Sequence, residues 1–471
     1  MTTQSLESLL TEAGGPLRLL RAHKYARPDA RDEFQPQQII PVIPGEFSLW
    51  ERETRAWRER VALFDQTHHM SGLFLSGPDA MRLLSDFAIN DFTTFRPNSA
   101  RQIVCVTERG DMIGDGIVFH LAPRQFSVFG AGFVQNWLMY QAQTGDYDVE
   151  ARYDRKAPVY PNGFAHDRPD FRYQIQGPRA AALIEKLNGG PLGDVKFFHM
   201  TEITIGGVRC RALRHGMAGV AGLEIWGPYE KRETVRDAIV AAGREFELEL
   251  VGGQAYLIGA IESGWYQAVL PAIYEGEEMR AYREWLPANA GEGMIRLSGS
   301  LAHDRVEGYY RSPFDLGYDR LIHADHDFYG RDALLRRAAD PRLTKVTLQW
   351  DPEDAAALLR EMLTPGGRDV RFLHLPVMCD KLDKHYDTLT VDGRSVGNSA
   401  YTAYTANERS LLSMALVDDT VRVGDEVVIG WGELGGGYDG YRVEPTDIVP
   451  IRAIVSPAPY SRVAREDYRR D

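Results

Sequence analysis

At 471 residues the chain is about three times the length of a typical single domain, so two or three domains with a sizeable core are expected. Its composition, 44% hydrophobic and 26% charged, is that of a globular protein, and 67 Asp+Glu against 54 Lys+Arg leave a formal net charge of −13. Phosphate neutralisation needs a dense basic surface, and no long run of Lys or Arg occurs; this argues against nucleic acid as the main partner, and any anionic ligand would need a local basic pocket.

The first residues, MTTQSLESLLTEAGG, lack the positive n-region and apolar h-region of a secretory leader, and no apolar run nears the roughly 18 residues that span a bilayer. Cys105, Cys210 and Cys379 are widely spaced, form no CxxC and leave one thiol over in any pairing. A reducing, cytoplasmic location without a membrane partner is expected. Residues 5–13 read as a short helix closed by Gly14 and Gly15. The Arg-, Pro- and Gln-rich stretch that follows, up to PVIPG at 41–45, reads as irregular, equally compatible with disorder and with an arm draped over the body. A helix is expected from Ser48, with Glu51 at capping-box spacing and Trp50, Trp57, Val61 and Phe64 as its buried stripe. It delivers the chain into FDQTHHMSG at 64–72.

A pattern of alternating strand, Gly-Pro and amphipathic helix then occurs three times, in FLSGPDAMRLL (74–84), YQIQGPRAAALIEKL (173–187) and LEIWGPYEKRETVRDAI (223–238). Glycine tolerates the sharp exit from the strand and proline is pre-set for a first helical turn, so the repetition suggests related α+β subdomains. Between the first two, QIVCVTERGDMIGDGIVFHL reads as a hairpin turning near Arg109-Gly110-Asp111, and QFSVFG as a further strand. After about residue 340, TKVTLQW, FLHLPVM, LTVDGRSVGN, LLSMALVD and DEVVIGW fit a terminal β-barrel. GWGELGGGYDG at 430–440 reads as a long hairpin loop, because a phosphate cradle would need a following helix. The expected fold class is α+β, with an N-terminal arm over 1–47, a body of two intertwined α+β subdomains over 48–340, a β-barrel over 341–455 and a tail over 456–471.

There is no GxSxG elbow, no GxxxxGK[ST], no HExxH and no GxGxxG between strand and helix, so assignment to a hydrolase, NTPase or dehydrogenase is weak. HADHD at 323–327, with His303 and Asp304, is the densest cluster of metal-capable side chains, but its setting is that of a surface turn, with Asp327 placed to cap a following helix. No metal is expected. For His68 and His69, an extended segment sends consecutive side chains to opposite faces, so the two do not easily share one ion, and at most one faces a pocket.

The series L-F-D-Q-T-H-H-M with S-G-P-D-A, G-D-M-I-G-D at 110–115, G-L-E-I at 222–225, S-P-F-D-L-G-Y with D-F-Y-G-R-D-A-L at 312–334, and VGNSAYTAYTANERSLLSMALVDD resembles the folate-binding aminomethyltransferase family, the T-protein of glycine cleavage. The resemblance covers roughly residues 50–452 and implies a three-lobed fold with tetrahydrofolate in a central channel. Within it, the extra residue in L-F-D-Q-T-H-H-M, the long N-terminal arm and A-Y-L-I-G-A-I-E-S-G-W are most similar to tetrahydrofolate-dependent aryl O-demethylases of the vanillate and syringate type. T-proteins carry arginine where this chain has Tyr256, which speaks against aminomethyl transfer; the iron-sulfur-maintenance relatives carry K-G-C-Y-x-G-Q-E where it has ALRHGMAGVAG.

By this resemblance Gln174, Glu224 and Trp265 hold the folate: polar groups for the pterin edge, with an aromatic wall beside its flat ring. Expelling a phenoxide requires a donor at its oxygen, and a tyrosine of pKa about 10 matches a leaving phenol, which makes Tyr256 the candidate acid. His69 matches the histidine before Met in the family motif and is the pocket-facing member of the pair, positioned to bond a phenol hydroxyl or a ring carboxylate. Asp115 corresponds to a carboxylate near the one-carbon centre, or is a plain turn residue. Where vanillate-type relatives lead one to expect a basic residue for the ring carboxylate, GAGFVQNW has Ala131; either another residue such as Arg101 or one from the arm serves, or the substrate presents another group. The expected activity moves a methyl group from a methoxylated aromatic to N5 of tetrahydrofolate in a monomer or small homo-oligomer. A sulfonium or N-methyl demethylase on the same fold, and a non-catalytic folate-binding protein, are the alternatives.

Overall fold

Two β-sheets fill the first two thirds of the chain, and the alternation along their strands decides what lies between them. The structure, a computed structural model, describes residues 4–21, 42–68, 70–154, 168–378, 383–434 and 445–468. In chain order the strands of these sheets are β1 (Val61–Asp65), β2 (Ser71–Ser76), β3 (Ser99–Val106), β4 (Met112–Ala122), β5 (Gln125–Gly130), β6 (Glu150–Asp154), β7 (Asp170–Gln176), β8 (Met200–Ile205), β9 (Val208–Arg214), β10 (Gly222–Pro228) and β11 (Leu248–Leu250). One sheet runs β11-β1-β7-β10-β9-β8 and the other β3-β4-β5-β2-β6. β1 and β2 are consecutive but belong to different sheets, so residues 66–70 carry the chain from one sheet to the other.

One face of the six-stranded sheet is apolar. Val61, Leu63, Phe171, Tyr173, Ile175, Leu223 and Ile225 pack against Leu183, Ile184, Val235 and Ile239 of the helices Ala180–Asn188 and Arg232–Gly243. The period of two then places Ala62 and Phe64, Arg172, Gln174 and Gln176, and Glu224 and Trp226 on the opposite face. There Trp226 meets Phe119 and Phe129 of the five-stranded sheet.

The expected Arg109-Gly110-Asp111 hairpin joins β3 to β4, with Gly110 at φ 80°. Two of the three Gly-Pro turns are alike: Gly77 and Gly177 sit at φ 141° and 126°, where an added Cβ would lie 2.3 Å from the Asp148 carbonyl and 2.5 Å from that of Arg60. The third differs, because Gly227 is not left-handed and the chain passes through a 3-10 turn, Tyr229–Lys231, before its helix. The helix expected from Ser48 begins later, at Trp50–Glu59, and has no Ser48–Glu51 box. Its buried Glu53 takes the amides of Phe47, Ser48 and Gly252 instead, while Val61 and Phe64 turn out to be strand residues.

The helix Leu6–Ala13 closes at left-handed Gly14, and with Pro16–Arg21 it buries Leu6, Leu9, Leu10 and Leu20 in the largest core. The rest of the irregular stretch, 22–41, lies outside the described residues. The C-terminal barrel is closed by six strands, Thr344–Trp350, Asp387–Val391, Arg394–Thr405, Ser410–Val417, Glu426–Trp431 and Val449–Pro457, the first and third both pairing with the fourth. The last two pair as a hairpin; of the glycine-rich connection between them, residues 435–444 lie outside the described residues. No helix among the described residues is long and apolar enough to cross a membrane.

Glu262, near the end of the helix Gly253–Ser263, joins the lobes. Buried at 1% exposure, it accepts the Trp57 indole N–H at 2.9 Å and the Asn407 amide at 3.0 Å, and pairs with Arg58 at 3.2 Å. Removing one member of a buried charged network typically costs about 3–5 kcal/mol. Glu262→Ala is expected to lower the thermal midpoint by that scale of destabilisation, with Glu262→Gln intermediate, as read by circular dichroism.

Candidate functional site

The polar face of the six-stranded sheet is buried, so each of its side chains must find partners. Gln66, just past β1, anchors its backbone N–H on the Arg172 carbonyl at 2.8 Å and donates its amide to Gln174 Oε1 at 2.9 Å. The same oxygen accepts from Gln176 Nε2 at 2.9 Å and from the Met217 N–H at 3.3 Å, while Gln174 Nε2 donates to the His215 carbonyl at 3.0 Å. Gln174 is therefore a hub that orients Gln66, and its oxygen is already fully engaged.

Tyr256 lies in the first turn of the helix Gly253–Ser263, 2% exposed, edge-on to Phe64 with ring centroids 5.6 Å apart. Burial pushes its phenol well above the usual 10, and the charge of Glu224 adds to this, outweighing hydrogen bonding to Gln66. The hydroxyl is thus neutral across the physiological range. Glu224, buried on β10, is ion-paired with Arg172 of β7, whose guanidinium lies 3.6 Å from the Phe129 ring centre and about 5 Å from those of Phe119 and Trp226.

Two further predicted residues, Asp115 and Trp265, form a second cluster. Asp115 on β4 accepts three hydrogen bonds on Oδ2: from Gln102 Nε2 at 2.7 Å, the Tyr318 hydroxyl at 2.9 Å and the Trp265 indole at 3.4 Å. Desolvation raises its carboxyl above the ordinary value despite these donors. Trp265 directly follows the left-handed Gly264 that ends the helix bearing Tyr256. Tyr256 in the first turn of this helix and Trp265 just past its end tie the two clusters to one element. Gln174, Glu224 and Tyr256 are brought together at one end, Asp115 and Trp265 at the other.

His69 lies outside the described residues. His68 is buried, edge-to-face with Tyr229 at 6.0 Å, and lines a cavity of about 370 Å³ with Asp65, Tyr173 and Arg236. That cavity is on the apolar side of the sheet, away from Tyr256. Arg101 is spent elsewhere: it donates to the Asp91 carbonyl and to Thr94, and stacks on Phe95, so it is not the carboxylate partner sought for Ala131. Ala131 itself is exposed, between Gly130 and Gly132. In HADHD, His326 uses its ring nitrogens on the carbonyls of His323 and Ala88; Asp327 caps no helix, since the next one starts after left-handed Gly330.

Sequence reasoning missed Gln66, Gln102, Arg172, Gln176 and Tyr318. For Arg172 and Gln176 the signal was present, because R-Y-Q-I-Q in a strand puts both on the face of Gln174. Gln66 follows by the same count from Phe64. Gln102 and Tyr318 reach Asp115 only through tertiary packing.

Residues 19–269 match the family model for the GCVT N-terminal domain. The chain is 37% identical over 466 residues to a syringate O-demethylase of Sphingobium sp., covering 99% of this chain and 98% of the relative. It is 26% identical over 449 residues to a sesamin methylene transferase of Sinomonas sp., covering 88% and 94%. The solved glycine cleavage aminomethyltransferase T of Bartonella henselae shares its fold, with TM-score 0.60 and 16% identity over 89% of this chain and 91% of that one. The chain belongs to the folate-binding aminomethyltransferase family, in the branch that includes O-demethylases.

Proposed function

We propose that the protein is a tetrahydrofolate-dependent O-demethylase that takes the methyl group of a methoxylated phenolic compound and leaves the free phenol. The observation that carries this reading is Tyr256: a buried, neutral phenol beside Glu224, in a chain so similar to a syringate O-demethylase over its whole length. The residues present suit a folate. Glu224 offers a buried carboxylate to the amide-like N–H groups of a pterin, and Trp265 a half-buried aromatic face. Tetrahydrofolate, when bound, supplies N5 as the nucleophile that accepts the methyl group.

As the methyl–oxygen bond breaks, its electron pair stays on the aryl oxygen. Tyr256 stands to meet that charge with its hydroxyl proton, and the proton that N5 gives up on methylation is the one that restores the tyrosine, so protons balance over the transfer. Gln66, fixed by Gln174, borders the tyrosine hydroxyl, and Phe64 and Trp57 wall the group with apolar surface. Glu224 is held in place by its ion pair with Arg172. In this reading His69 binds the substrate ring's polar substituent, and Asp115, already taking three donors on one oxygen, orients the one-carbon centre.

Incubation with tetrahydrofolate and a panel of methoxyphenols should yield 5-methyltetrahydrofolate; product from sulfonium compounds and from no aryl ether would overturn the reading. Tyr256→Phe should lower kcat by about 10²- to 10⁴-fold, the range of general acid catalysis. Since the folded-state pKa of Tyr256 is raised, its proton is lost only above pH 10, so pH–rate profiles should show no alkaline limb from this group below that value. His69→Ala should impair turnover, whereas His68→Ala should lower thermal stability and leave kcat near wild type; equal losses in kcat would return both histidines to one site.

A further inference from the structure

Residues 215–221, which join β9 to β10, hold the glutamine struts with their backbone, and the C-terminal tail closes over them. We propose that Tyr468 is a positioning residue for the methyl transfer: it clamps this connection, which through Gln174 and Gln66 sets where the Tyr256 hydroxyl stands. The inference rests on the demethylase reading and gives the tail beyond the barrel a part in it.

Each glutamine depends on where this connection lies. The His215 carbonyl accepts Gln174 Nε2 at 3.0 Å, and the Met217 N–H donates to Gln174 Oε1 at 3.3 Å. The Ala218 N–H donates to Gln176 Oε1 at 3.0 Å, and Gln66 Nε2 donates to Met217 Sδ at 3.5 Å as well as to Gln174. Displacing this backbone would carry Gln174 with it, and Gln66 after Gln174. Yet the connection is poorly equipped to fix its own path, since it contains glycine at 216 and at 219, the second left-handed at φ 70°. Support has to come from outside it.

The tail supplies that support. The Gly216 N–H donates to the Tyr468 hydroxyl at 2.8 Å, and the same hydroxyl is hydrogen-bonded to His215 Nδ1 at 2.8 Å. Its ring stands edge-on to Phe197, with centroids 5.4 Å apart. About one turn earlier, Ala464 lies so close to Gly219 that a Cβ added there would come within 2.6 Å of its own, and Val463 packs on the cluster of Trp57, Phe64, Ala218 and Tyr256. The two residues that Tyr468 holds directly precede Met217, so clamp and glutamine contacts share consecutive residues. A hydroxyl bonded to both a side chain and a backbone amide fixes the turn in place and in rotation, and it adds no charge beside the site.

Tyr468→Phe keeps the ring and removes the hydroxyl alone. With tetrahydrofolate and a methoxyphenol, kcat should fall on the order of 10-fold, short of the roughly 100-fold that a full ångström of misplacement can cost, while both KM values stay within about twofold. In a Tyr256→Phe background the same substitution should leave the residual kcat unchanged, because the group it positions is already gone. The loss should also be larger for ethers of electron-rich phenols than for a nitrophenol methyl ether, whose leaving group needs less of a donor, whereas lost packing would slow both alike. His215→Phe, which removes the other side of the bond, should move kcat in the same direction and decides the matter should Tyr468→Phe fail to fold; near-ultraviolet circular dichroism establishes folding. An unchanged kcat in a folded variant, or an equal fall with and without the Tyr256 hydroxyl, overturns the role of Tyr468 and leaves the demethylase reading intact. Absence of 5-methyltetrahydrofolate from wild type with every aryl ether strikes that reading, and the proposal with it.

Discussion

The buried ion pair of Arg172 with Glu224 is the constraint to which the two sheets are fitted. Taking both ions out of water costs several kcal/mol each, and pairing rarely returns more than a well-packed apolar pair would, so stability alone gives little reason to keep them. Their surroundings are built to tolerate them. Three aromatic rings face the guanidinium, and the register that sets Trp226 opposite Arg172 also sets Glu224 opposite Gln174, so the carboxylate lies diagonally across the ladder from the arginine. A one-residue slip of β10 would turn Glu224 into the apolar face and Ile225 toward the arginine.

Around that pair the glutamines act as struts. Gln176 and Met217 fix Gln174, and Gln174 fixes Gln66, which borders the tyrosine hydroxyl. A chain of amides satisfied at one end and open at the other offers rigidity without added charge. The interior around Tyr256 can then stay poor in water, which keeps its phenol protonated, and the neighbouring Glu224 is tied to Arg172. The second cluster follows different rules: Asp115 takes all three donors on a single oxygen, and Trp265 and Asp115 are each only half-buried.

Much of this was legible in the sequence because it rests on local periodicity. Alternation located the strands, glycine before proline located two sharp exits that only glycine can make, and the short runs after residue 340 announced a barrel that the structure closes. The start of the helix after Ser48 was misplaced because Glu53, from inside the helix, takes the amides that a Ser48–Glu51 box would have served, and the same carboxylate also binds Gly252, 199 residues later. No local pattern carries that information. The site was half legible for the same reason. Arg172 and Gln176 were one strand-count from Gln174, whereas Tyr318 meets Asp115 across 203 residues and Arg101 looked available only until its own turn claimed it.

His68 shows how the crossover assigns a side chain to one side of a sheet. β1 ends at Asp65 in one sheet and β2 begins at Ser71 in the other, so the segment between them has an outer and an inner side. Gln66 continues the alternation of Phe64 and enters the polar interior; His68, after a turn in which the Thr67 amide bonds Asp65 at 2.9 Å, lies instead with Tyr229 on the helix-covered side. A residue inserted in such a crossover need not disturb either sheet, because the strands on both sides keep their registers and only the bridge lengthens. The bridge can thus place His68 in the packing of the helix-covered side without disturbing the strands it joins.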